Sequence, residues 1–457
     1  MNEAQLEIEK QMELLKELLN QGNITEFREE FLAIHTYEQG QFYLGLTKEE
    51  RQKMYHFLSP NEMGDMFEII EEDEESVEIY LEEMDLQYAA DMLGAMYADN
   101  AVDILKQLEK QQIKEYLALM DEESANEIKE LLHYKDETAG AIMTTEFVSI
   151  VANQTVRSAM AILKSKAPEA ETIYYVYVVD TDDTLVGVIS LRDLIINEDD
   201  ALISDLMSER PVFVTVDDDQ NDVAKTIRDY DFLAVPVVDD GDHLLGIITV
   251  DDIIDVIDDE ATSDYSGLAG VDVDETTENP FIAASKRLPW LITLLFLGMS
   301  TASLISRYEV MVSDASILAV FISLITGTAG NAGTQSLAVA VRKLATKEDG
   351  QTNFGKMILS EIMTGLVTGL VTGVTIFFVV GIWKHNFILG FVIGMAMLCA
   401  ITVANLAGSL IPILMDRLGF DPAVASGPFI TTLSDLTSVL IYFNIAALFM
   451  SYFIGTN

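Results

Sequence analysis

The sequence predicts a multidomain membrane protein with three parts: an all-α helical-repeat N-terminal domain, an α/β tandem pair, and a five-helix α transmembrane domain. Three observations predict this fold class. A helical period without strands fills residues 1–135, a strand and helix pattern occurs twice in residues 136–258, and long apolar stretches fill residues 287–457. An acidic connecting helix, residues 259–286, is expected to join the last two parts.

The first of the three parts, residues 1–135, alternates apolar and charged residues, as in AVDILKQLEKQQIKEYLALM. Short successive amphipathic segments of this kind predict a helical repeat. The start, MNEAQLEIEKQ, is charged and has no apolar signal core, so we expect the N-terminus to stay in the cytoplasm.

The next part contains one unit twice. TIYYVYVVD is followed by a turn and LVGVISLRDLII, and FLAVPVVDD is followed by a turn and LLGIITVDDIIDVI. Each copy runs from a strand into a helix with Ser or Thr and then Asp at fixed offsets, in Gly187–Asp193 and Gly246–Asp252. The pair resembles tandem cystathionine-β-synthase (CBS) domains.

The acidic excess lies entirely in the first 280 residues. They hold 18 Lys and Arg against 67 Asp and Glu, whereas residues 281–457 hold 9 against 8. Such a surface repels nucleic acid, whose binding requires Lys and Arg to neutralise phosphates. Divalent cations are the natural counterions, and no nucleic acid is expected among the partners.

No Lys or Arg occurs between Arg228 and Lys286, although this stretch contains VDDIIDVIDDE and VDVDETTE. A run of like charge is usually a solvated or disordered face. The alternative is a metal-dependent surface, because the Ile and Val of DDIIDVIDDE keep helical spacing and so order the carboxylates on one side.

Five apolar stretches, at about residues 288–305, 315–341, 357–382, 387–414 and 423–454, are each long enough to cross a lipid bilayer. With the N-terminus inside, seven of the nine Lys and Arg of this part flank cytoplasmic ends. The positive-inside rule therefore predicts a multi-pass protein of the cell membrane with its C-terminus outside.

Asp435 lies in the middle of the last apolar stretch, in GPFITTLSDLTSVLIYF. A carboxylate there costs at least about 2.5 kcal/mol, so such residues usually face a pore or a partner. At 3.6 residues per turn, Thr431, Ser438 and Tyr442 lie on the same side of the helix as Asp435 and form a polar stripe with it. A buried carboxyl bonded to Thr residues of neighbouring helices is the alternative.

The second apolar stretch contains GTAGNAGTQS, residues 327–336, in which Asn331, Thr334 and Gln335 offer neutral oxygen atoms. Together with Asp435 they form a hard-oxygen set that suits Mg²⁺ or Ca²⁺ and not Zn²⁺ or Cu²⁺. The alternative is that these small residues and amides join helices. In the third stretch, a ridge of glycines at every fourth position favours packing, and Glu361 near its start ranks below Asp435 as a site residue.

The whole chain resembles the MgtE family of magnesium channels or transporters. An acidic helical domain, a CBS pair, an acidic connector and five spans ending in DPAVASGPFITTLSD carry the resemblance, and GNAGTQS agrees with the membrane signature of that family. The resemblance implies a homodimer in the lipid bilayer, with a Mg²⁺ pore on its two-fold axis. It also implies a cytoplasmic region that binds Mg²⁺ and closes the pore when the ion is abundant.

The resemblance also implies individual site residues. Asp435 matches the pore aspartate, with Asn331, Thr334, Gln335, Thr431 and Ser438 as candidates to line the pore. The implied regulatory Mg²⁺ ligands are Asp99, Asp103, Asp219, Asp231, Asp252, Asp255, Glu260, Asp264 and Asp421. An ATP cleft would map to Tyr175, Asp193 and Phe232, with Asp193 suited to a ribose hydroxyl. Asn221 and Ser263 depart from the family by replacing acidic ligands, and Thr334 stands where the membrane signature can have Asn.

A gated Mg²⁺ channel is therefore the leading hypothesis. A secondary transporter of Mg²⁺ or another divalent cation, coupled to Na⁺ or H⁺, would also use Asp435, by titration. A membrane-anchored nucleotide sensor that transports nothing is a third class. No arrangement of nucleophile and base occurs, so the protein is not expected to be an enzyme.

Overall fold

The computed structural model describes residues 3–73, 77–271, 273, 279–346, 354–418 and 427–453. The chain divides into two compact units, residues 1–257 and 258–457. The first unit contains a helical domain and two small sheets, and the second contains long apolar helices. The predicted fold class is thereby confirmed.

Short amphipathic helices form the N-terminal domain. Buried Phe27 and Phe31 of the second helix and Tyr43 of the third pack into one core. The helices are α1 Glu3–Gln21, α2 Ile24–Phe31, α3 Thr36–Leu44, α4 Lys48–Phe57, α5 Pro60–Asp73, α6 Glu78–Leu81, α7 Leu86–Leu93, α8 Ala98–Lys106, α9 Lys110–Leu119 and α10 Glu122–Leu131.

A buried ion pair ties two of these helical segments together. Arg51 on α4 donates two hydrogen bonds of 2.8 Å to Glu83, just after α6, and the Glu83 side chain is 4% exposed. The guanidinium also lies over the ring of Tyr80 and donates to the carbonyl oxygen of Leu46. The charges are therefore buried with their hydrogen-bonding capacity used, as buried ion pairs require.

Two three-stranded sheets follow, with the same topology in each. The first order is β1-β2-β3 and the second is β4-β5-β6, with the first pair parallel and the second antiparallel. The elements are β1 Ser149–Val151, α11 Val156–Lys166, β2 Tyr175–Val179, β3 Leu185–Ser190, α12 Leu191–Ile196, α13 Ile203–Leu206, β4 Val214–Thr215, α14 Gln220–Tyr230, β5 Ala234–Val238, β6 Leu244–Thr249 and α15 Val250–Ala269. The repeated order matches the duplicated α/β unit that the sequence predicts.

The connecting segment differs from the prediction of a separate helix over residues 259–286. Helix α15 runs without a break across residue 258, and the next long helix begins at Pro280. The sequence offers no helix breaker near residue 258, and α15 ends where Gly270 adopts a left-handed φ of +67°. Asn279 caps the next helix by accepting from the backbone N–H of Phe281.

Five helices of the second unit, among the residues that are described, are long and apolar enough to cross a membrane. They are α16 Pro280–Arg307, α18 Ile322–Thr346 with the 3-10 turn Ser316–Phe321 before it, α19 Phe354–Trp383, α20 Phe387–Arg417 and α21 Gly427–Leu448. Two short helices, α17 Glu309–Asp314 and α22 Met450–Phe453, complete the unit. These spans agree with the five apolar stretches of the sequence.

Glycines let the central membrane helices approach closely. A methyl group at Gly408 of α20 would lie 2.2 Å from the carbonyl oxygen of Gly333 on α18. Methyl groups at Gly365, Gly369 and Gly373 of α19 would each lie within 3 Å of the α20 backbone. The glycine ridge of the third span is therefore a packing surface, as its spacing predicts.

Candidate functional site

The polar stripe of α21 faces the interior of its helical bundle. Ser438 and Tyr442, in the C-terminal half, are completely buried, and the Tyr442 hydroxyl donates to the carbonyl oxygen of Leu318. Thr431 and Asp435, in the N-terminal half, are half-buried. No hydrogen bond or ion pair to Asp435 is found among the described residues. The stripe is thus packed at one end and open at the other.

Ser438 does not lie on an open surface of the single chain, although the sequence made it a candidate to line a pore. It is 0% exposed, and its hydroxyl has no hydrogen-bond partner among the described residues. Its neighbours are the apolar side chains around Val439 and Phe443. Within one copy this position packs the bundle core.

Helix α18 presents its amides on its outer surface. Asn331 and Gln335 are exposed, one turn apart, whereas Gly333 and Ser336 are buried. Gly330 and Gly333 contact Thr431 and Ile430 of α21, so their missing side chains bring the two helices together. The second span is therefore one continuous helix that packs closely along α21.

Two threonine hydroxyls meet where α18 and α21 touch. Thr334 Oγ1 lies 3.3 Å from Thr431 Oγ1. Each hydroxyl has one proton, and Thr334 donates to the carbonyl oxygen of Gly330 at 3.0 Å while Thr431 donates to that of Gly427 at 2.9 Å. Both oxygens therefore keep lone pairs for a cation or its bound water.

A cavity of about 530 Å³ lies beside these hydroxyls, inside the second unit. Thr334, Thr431 and Thr432 line it together with Leu268 and Ala269 at the end of α15. Asp435 follows Thr431 by one helical turn, so the open half of the stripe continues from this cavity towards the carboxylate.

The end of α15 sits closely against the membrane helices at this cavity. A methyl group at Gly427 would lie 2.9 Å from the carbonyl oxygen of Leu268, and one at Gly270 would lie 2.3 Å from Nε1 of Trp290. The Leu268 side chain packs on the buried cluster of Leu337, Val341 and Ile430. Gly427 thus allows the end of α15 to approach α21 at backbone distance, and Gly270 allows it to approach the Trp290 side chain of α16.

In the first unit, two predicted Mg²⁺ ligands lie near each other. Asp99 on α8 is 8% exposed, and burial raises its pKa well above the usual range, with a further increase from the charge of Asp252. Burial also raises the pKa of Asp252 to about 6, although Thr249 donates two hydrogen bonds to its Oδ2. Two carboxylates held in this way repel each other unless protons or cations intervene.

Two further carboxylates belong to this cluster, and sequence reasoning missed both. Glu146 accepts a hydrogen bond of 3.1 Å from the backbone N–H of Ala98 at the start of α8, and its charge acts on Asp99. The backbone N–H of Glu171 donates to the carbonyl oxygen of Glu146. Burial and the charge of Asp252 raise the pKa of Glu171 to about 8. Both residues lie in loops without periodicity, so only the overall acidic excess pointed to them.

The other predicted ligands of the first unit are dispersed. Asp103 pairs with Lys106 at 3.3 Å, and burial raises the pKa of Asp103. Asp219 caps α14 by accepting from the backbone N–H of Asn221, and Asp231 ends the same helix with a left-handed φ of 54°. Asp219 and Asp231 are both exposed.

The ligands predicted on α15 lie along one helix. Asp255 is exposed, and Glu260 and Asp264, one turn apart, are half-buried. Asp421 lies outside the described residues. Within the described ranges, no group of three or more acidic, His or Cys side chains is placed so that it could hold a metal ion.

Of the residues of the predicted ATP cleft, Tyr175 begins β2, Phe232 shortly precedes the equivalent strand β5, and Asp193 lies in the first turn of α12. Tyr175 pairs with Ser190, the residue that caps α12, and Asp193 Oδ2 accepts from the Ser190 hydroxyl at 2.5 Å. Phe232 stacks on Tyr230 with 5.3 Å between ring centroids and precedes β5. A carboxylate that can accept hydrogen bonds from ribose hydroxyls is therefore present, as are aromatic rings that can stack on a base. These groups fit an adenine nucleotide.

Family models match three parts of the chain. The model of the divalent cation transporter MgtE matches residues 322–445, that of the MgtE intracellular N domain matches residues 34–137, and that of the CBS domain matches residues 139–198 and 203–259. The first match covers α18, α21 and the carboxylate of Asp435.

Curated relatives match over nearly the full length. The magnesium transporter MgtE of Enterococcus faecalis is 73% identical over 99% of this chain and 100% of the relative. The magnesium transporter MgtE of Bacillus subtilis is 36% identical over 95% of this chain and 96% of the relative. A crystal structure of the soluble part of a magnesium transporter is 66% identical, covers 56% of this chain and 99% of its own, and superposes with a TM-score of 0.55.

These relatives are named as transporters, which confirms the prediction that the protein is not an enzyme. Five candidate spans and a transporter match together make it a membrane protein. The chain belongs to the MgtE family of divalent cation transporters.

Proposed function

We propose that the protein is a Mg²⁺ channel that mediates magnesium uptake across the cell membrane, with a cytoplasmic N-terminus and an external C-terminus. One observation carries the proposal: Asp435 stands half-buried and without a described partner in a membrane helix, one turn beyond the paired hydroxyl oxygens of Thr334 and Thr431. A carboxylate in hydrocarbon is retained for function by default. Oxygen ligands of this kind suit a Mg²⁺ ion that keeps most of its waters.

The test is Mg²⁺ flux into liposomes that contain the full-length protein. Asp435→Asn keeps the shape and removes the charge, so we expect it to abolish or strongly reduce flux, because the amide cannot offset the partial loss of ion hydration. Asp314→Asn is the matched control, since Asp314 is exposed at the end of the short helix α17. Wild-type flux in a folded Asp435→Asn protein would contradict the pore assignment.

The pore is proposed to form between two copies of the chain. Asn331 and Gln335 are polar and exposed on an otherwise apolar membrane helix. Amides that face hydrocarbon without a partner are costly, so a second copy and the ions between the copies are the favoured neighbours. Asn331→Cys with the native Cys399 replaced by Ser should form a disulfide-linked dimer. An exclusively monomeric protein in mild detergent and in liposomes would contradict the shared pore.

Mg²⁺ at the cytoplasmic side is proposed to close the channel. Asp99, Asp252 and Glu171 lie in a cluster in which the charge of Asp252 raises the pKa of both Asp99 and Glu171, so cations favour its compact form. Two like charges about 4 Å apart cost about 4 kcal/mol at an effective dielectric constant of 20. A ligand shifts an equilibrium between two conformations by binding one of them more tightly. Mg²⁺ bound among these carboxylates would therefore favour the compact form of the cluster.

The proposed route from the cluster to the pore is α15, which has Asp252 in its first turn and ends at Ala269, in the wall of the cavity that Thr334 also lines. Replacing Asp252, Asp255 and Glu260 with Ala should give a channel that internal Mg²⁺ inhibits less. Replacing exposed Glu198, Asp199 and Asp200 with Ala is the matched control for loss of charge. Closure of the triple variant at the wild-type Mg²⁺ concentration would make these carboxylates a solvated face.

An adenine nucleotide, ATP, is proposed to bind at Tyr175, Asp193 and Phe232 and to modulate the channel. When bound, it would bring its own phosphate charge to the CBS pair. Asp193 would hold a ribose hydroxyl, and the two rings would pack on the base. Calorimetry should show weaker ATP binding to Asp193→Ala and unchanged binding to Asp182→Ala, in an exposed turn. Equal affinity in both variants would remove Asp193 from the site.

A further inference from the structure

Glu361 is a second carboxylate within the membrane helices, and it contacts α18 on the side away from the exposed amides. Ser336, which is 7% exposed, shares its single hydroxyl proton between Glu361 Oε2 at 3.2 Å and the carbonyl oxygen of Asn405 at 2.8 Å. Lys343 Nζ, two turns further along α18, lies 3.8 Å from Glu361 Oε1. The Glu361 side chain is 13% exposed. One carboxylate of α19 therefore holds α18 at two points.

The surrounding packing makes these contacts sensitive to rotation of α18. Gly333, one turn before Ser336, lies against Gly408 of α20 at backbone distance. Neighbouring positions on a helix differ by about 100° in direction, so Gln335 points away from the face that carries Ser336. Turning Ser336 away from Glu361 would therefore move Asn331, Thr334 and Gln335 together.

We propose that Glu361 is a positioning residue: through Ser336 and Lys343 it fixes the rotation of α18 and so the placement of the Asn331, Thr334 and Gln335 oxygens. The cation partner at Lys343 disfavours a second metal site at Glu361 itself, because an ammonium group and a metal ion would compete for the same oxygens. The part of this proposal that concerns transport rests on the proposed pore, whereas the rotation of α18 does not.

The direct test is the reaction rate of a cysteine on α18 with a charged thiol reagent, in full-length protein in liposomes. In a Cys399→Ser background, Gln335→Cys is compared with Val339→Cys, which lies one turn further along the same exposed side. Glu361→Gln keeps an acceptor for Ser336 but removes the charge that pairs with Lys343. We expect it to change the ratio of the two rates about threefold.

Ser336→Ala should change the ratio in the same direction, because it removes the other contact. Thr364→Val is the matched control, since Thr364 is exposed one turn from Glu361 and bonds only to its own helix at Ser360. Rates that stay equal in wild type, Glu361→Gln and Ser336→Ala would overturn the proposal.

Transport provides the second measurement. Glu361→Gln should lower the ratio of Mg²⁺ flux to Ca²⁺ flux about threefold while the amount of folded protein stays the same. A role confined to folding would reduce the protein and leave the ratio unchanged, which would overturn the proposal. If Asp435→Asn retains full flux while the cysteine rates still shift with Glu361→Gln, the proposed pore fails and the positioning of α18 stands.

Discussion

Thr334 and Thr431 are 97 residues apart in sequence, and their hydroxyl oxygens lie 3.3 Å apart at the contact of α18 and α21. Each hydroxyl donates its proton to its own helix, so the pair presents acceptor oxygens to the space between the helices. These two neutral oxygens lie one helical turn before the Asp435 carboxylate and can replace water molecules around a cation. They do so without binding the cation too tightly for it to leave.

Removal of either hydroxyl should slow transport without unfolding the protein. Thr334→Val and Thr431→Val keep the shape, and the carbonyl groups that lose the hydroxyl bond retain their helical hydrogen bonds. We expect Mg²⁺ flux to fall about fivefold in each, the effect of losing one polar contact of about 1 kcal/mol. Thr437→Val, which removes a hydroxyl bonded to Leu433 on the same helix, is the control. Equal flux in all four proteins would mean that the pair does not contact the ion.

The approach of α18 and α20 predicts a strong effect of a single methyl group. Gly408→Ala would place that group 2.2 Å from the carbonyl oxygen of Gly333, so the helices must separate. We expect a loss of about 1–3 kcal/mol in the free energy of unfolding, seen as a lower melting temperature in detergent. Gly327→Ala is the control, because nothing lies within 4 Å of the added methyl group. A melting temperature equal to that of the control would contradict this packing.

The Arg51 and Glu83 pair predicts local instability in the helical domain. Glu83→Ala leaves the Arg51 side chain, which is 12% exposed, without its carboxylate, at a cost of about 3 kcal/mol. Hydrogen exchange across α4 and α6 should accelerate. Asp229→Ala breaks the exposed pair with Arg228 and should change nothing. Similar exchange in both variants would show that the buried pair does not stabilise these helices.

The acidic cluster predicts that protons substitute for Mg²⁺. The pKa of Glu171 is raised to about 8 in the folded protein, so the compact cluster binds more protons than the open one between the unfolded pKa and about pH 8. Its stability therefore increases as the pH falls through this window and decreases as the pH rises. Without Mg²⁺, the protection factors of the α8 amides, which correct for the base-catalysed intrinsic rate of exchange, should be larger at about pH 6 than at about pH 9.

Glu171→Gln should weaken this dependence on pH, because the amide does not titrate. Glu169→Gln, two residues earlier in an exposed position, provides the matched control. Protection factors of α8 that are the same at both pH values in the wild-type protein would contradict the electrostatic description of the cluster.

The sequence predicted what depends on local pattern. The repeat of Gly187–Asp193 in Gly246–Asp252 predicted the duplicated unit, which the two sheets confirm. The carboxylate of Asp435 among apolar residues predicts a pore residue, and that role stays a prediction. The glycine ridge of the third span also packs as predicted. Each of these features can be recognised in short stretches of the sequence.

Features that depend on contacts between distant segments were not predictable. Glu146 joins the CBS pair to the start of α8, 48 residues away, through one backbone hydrogen bond. Ser438 shares a stripe with Asp435, yet the neighbouring helices fill the space on its side, which spacing within α21 cannot reveal. The absence of a helix breaker near residue 258 could have predicted the continuity of α15.

The central claim is that Mg²⁺ moves down its own gradient through a pore that cytoplasmic Mg²⁺ closes. Current through the wild-type protein in a planar bilayer, with Mg²⁺, Na⁺ and pH set separately on the two sides, tests this most directly. We predict a reversal potential that follows the Mg²⁺ gradient alone, and currents that cease when millimolar Mg²⁺ is added to the cytoplasmic side. A reversal potential that shifts with the Na⁺ or H⁺ gradient would contradict the channel and favour a coupled transporter.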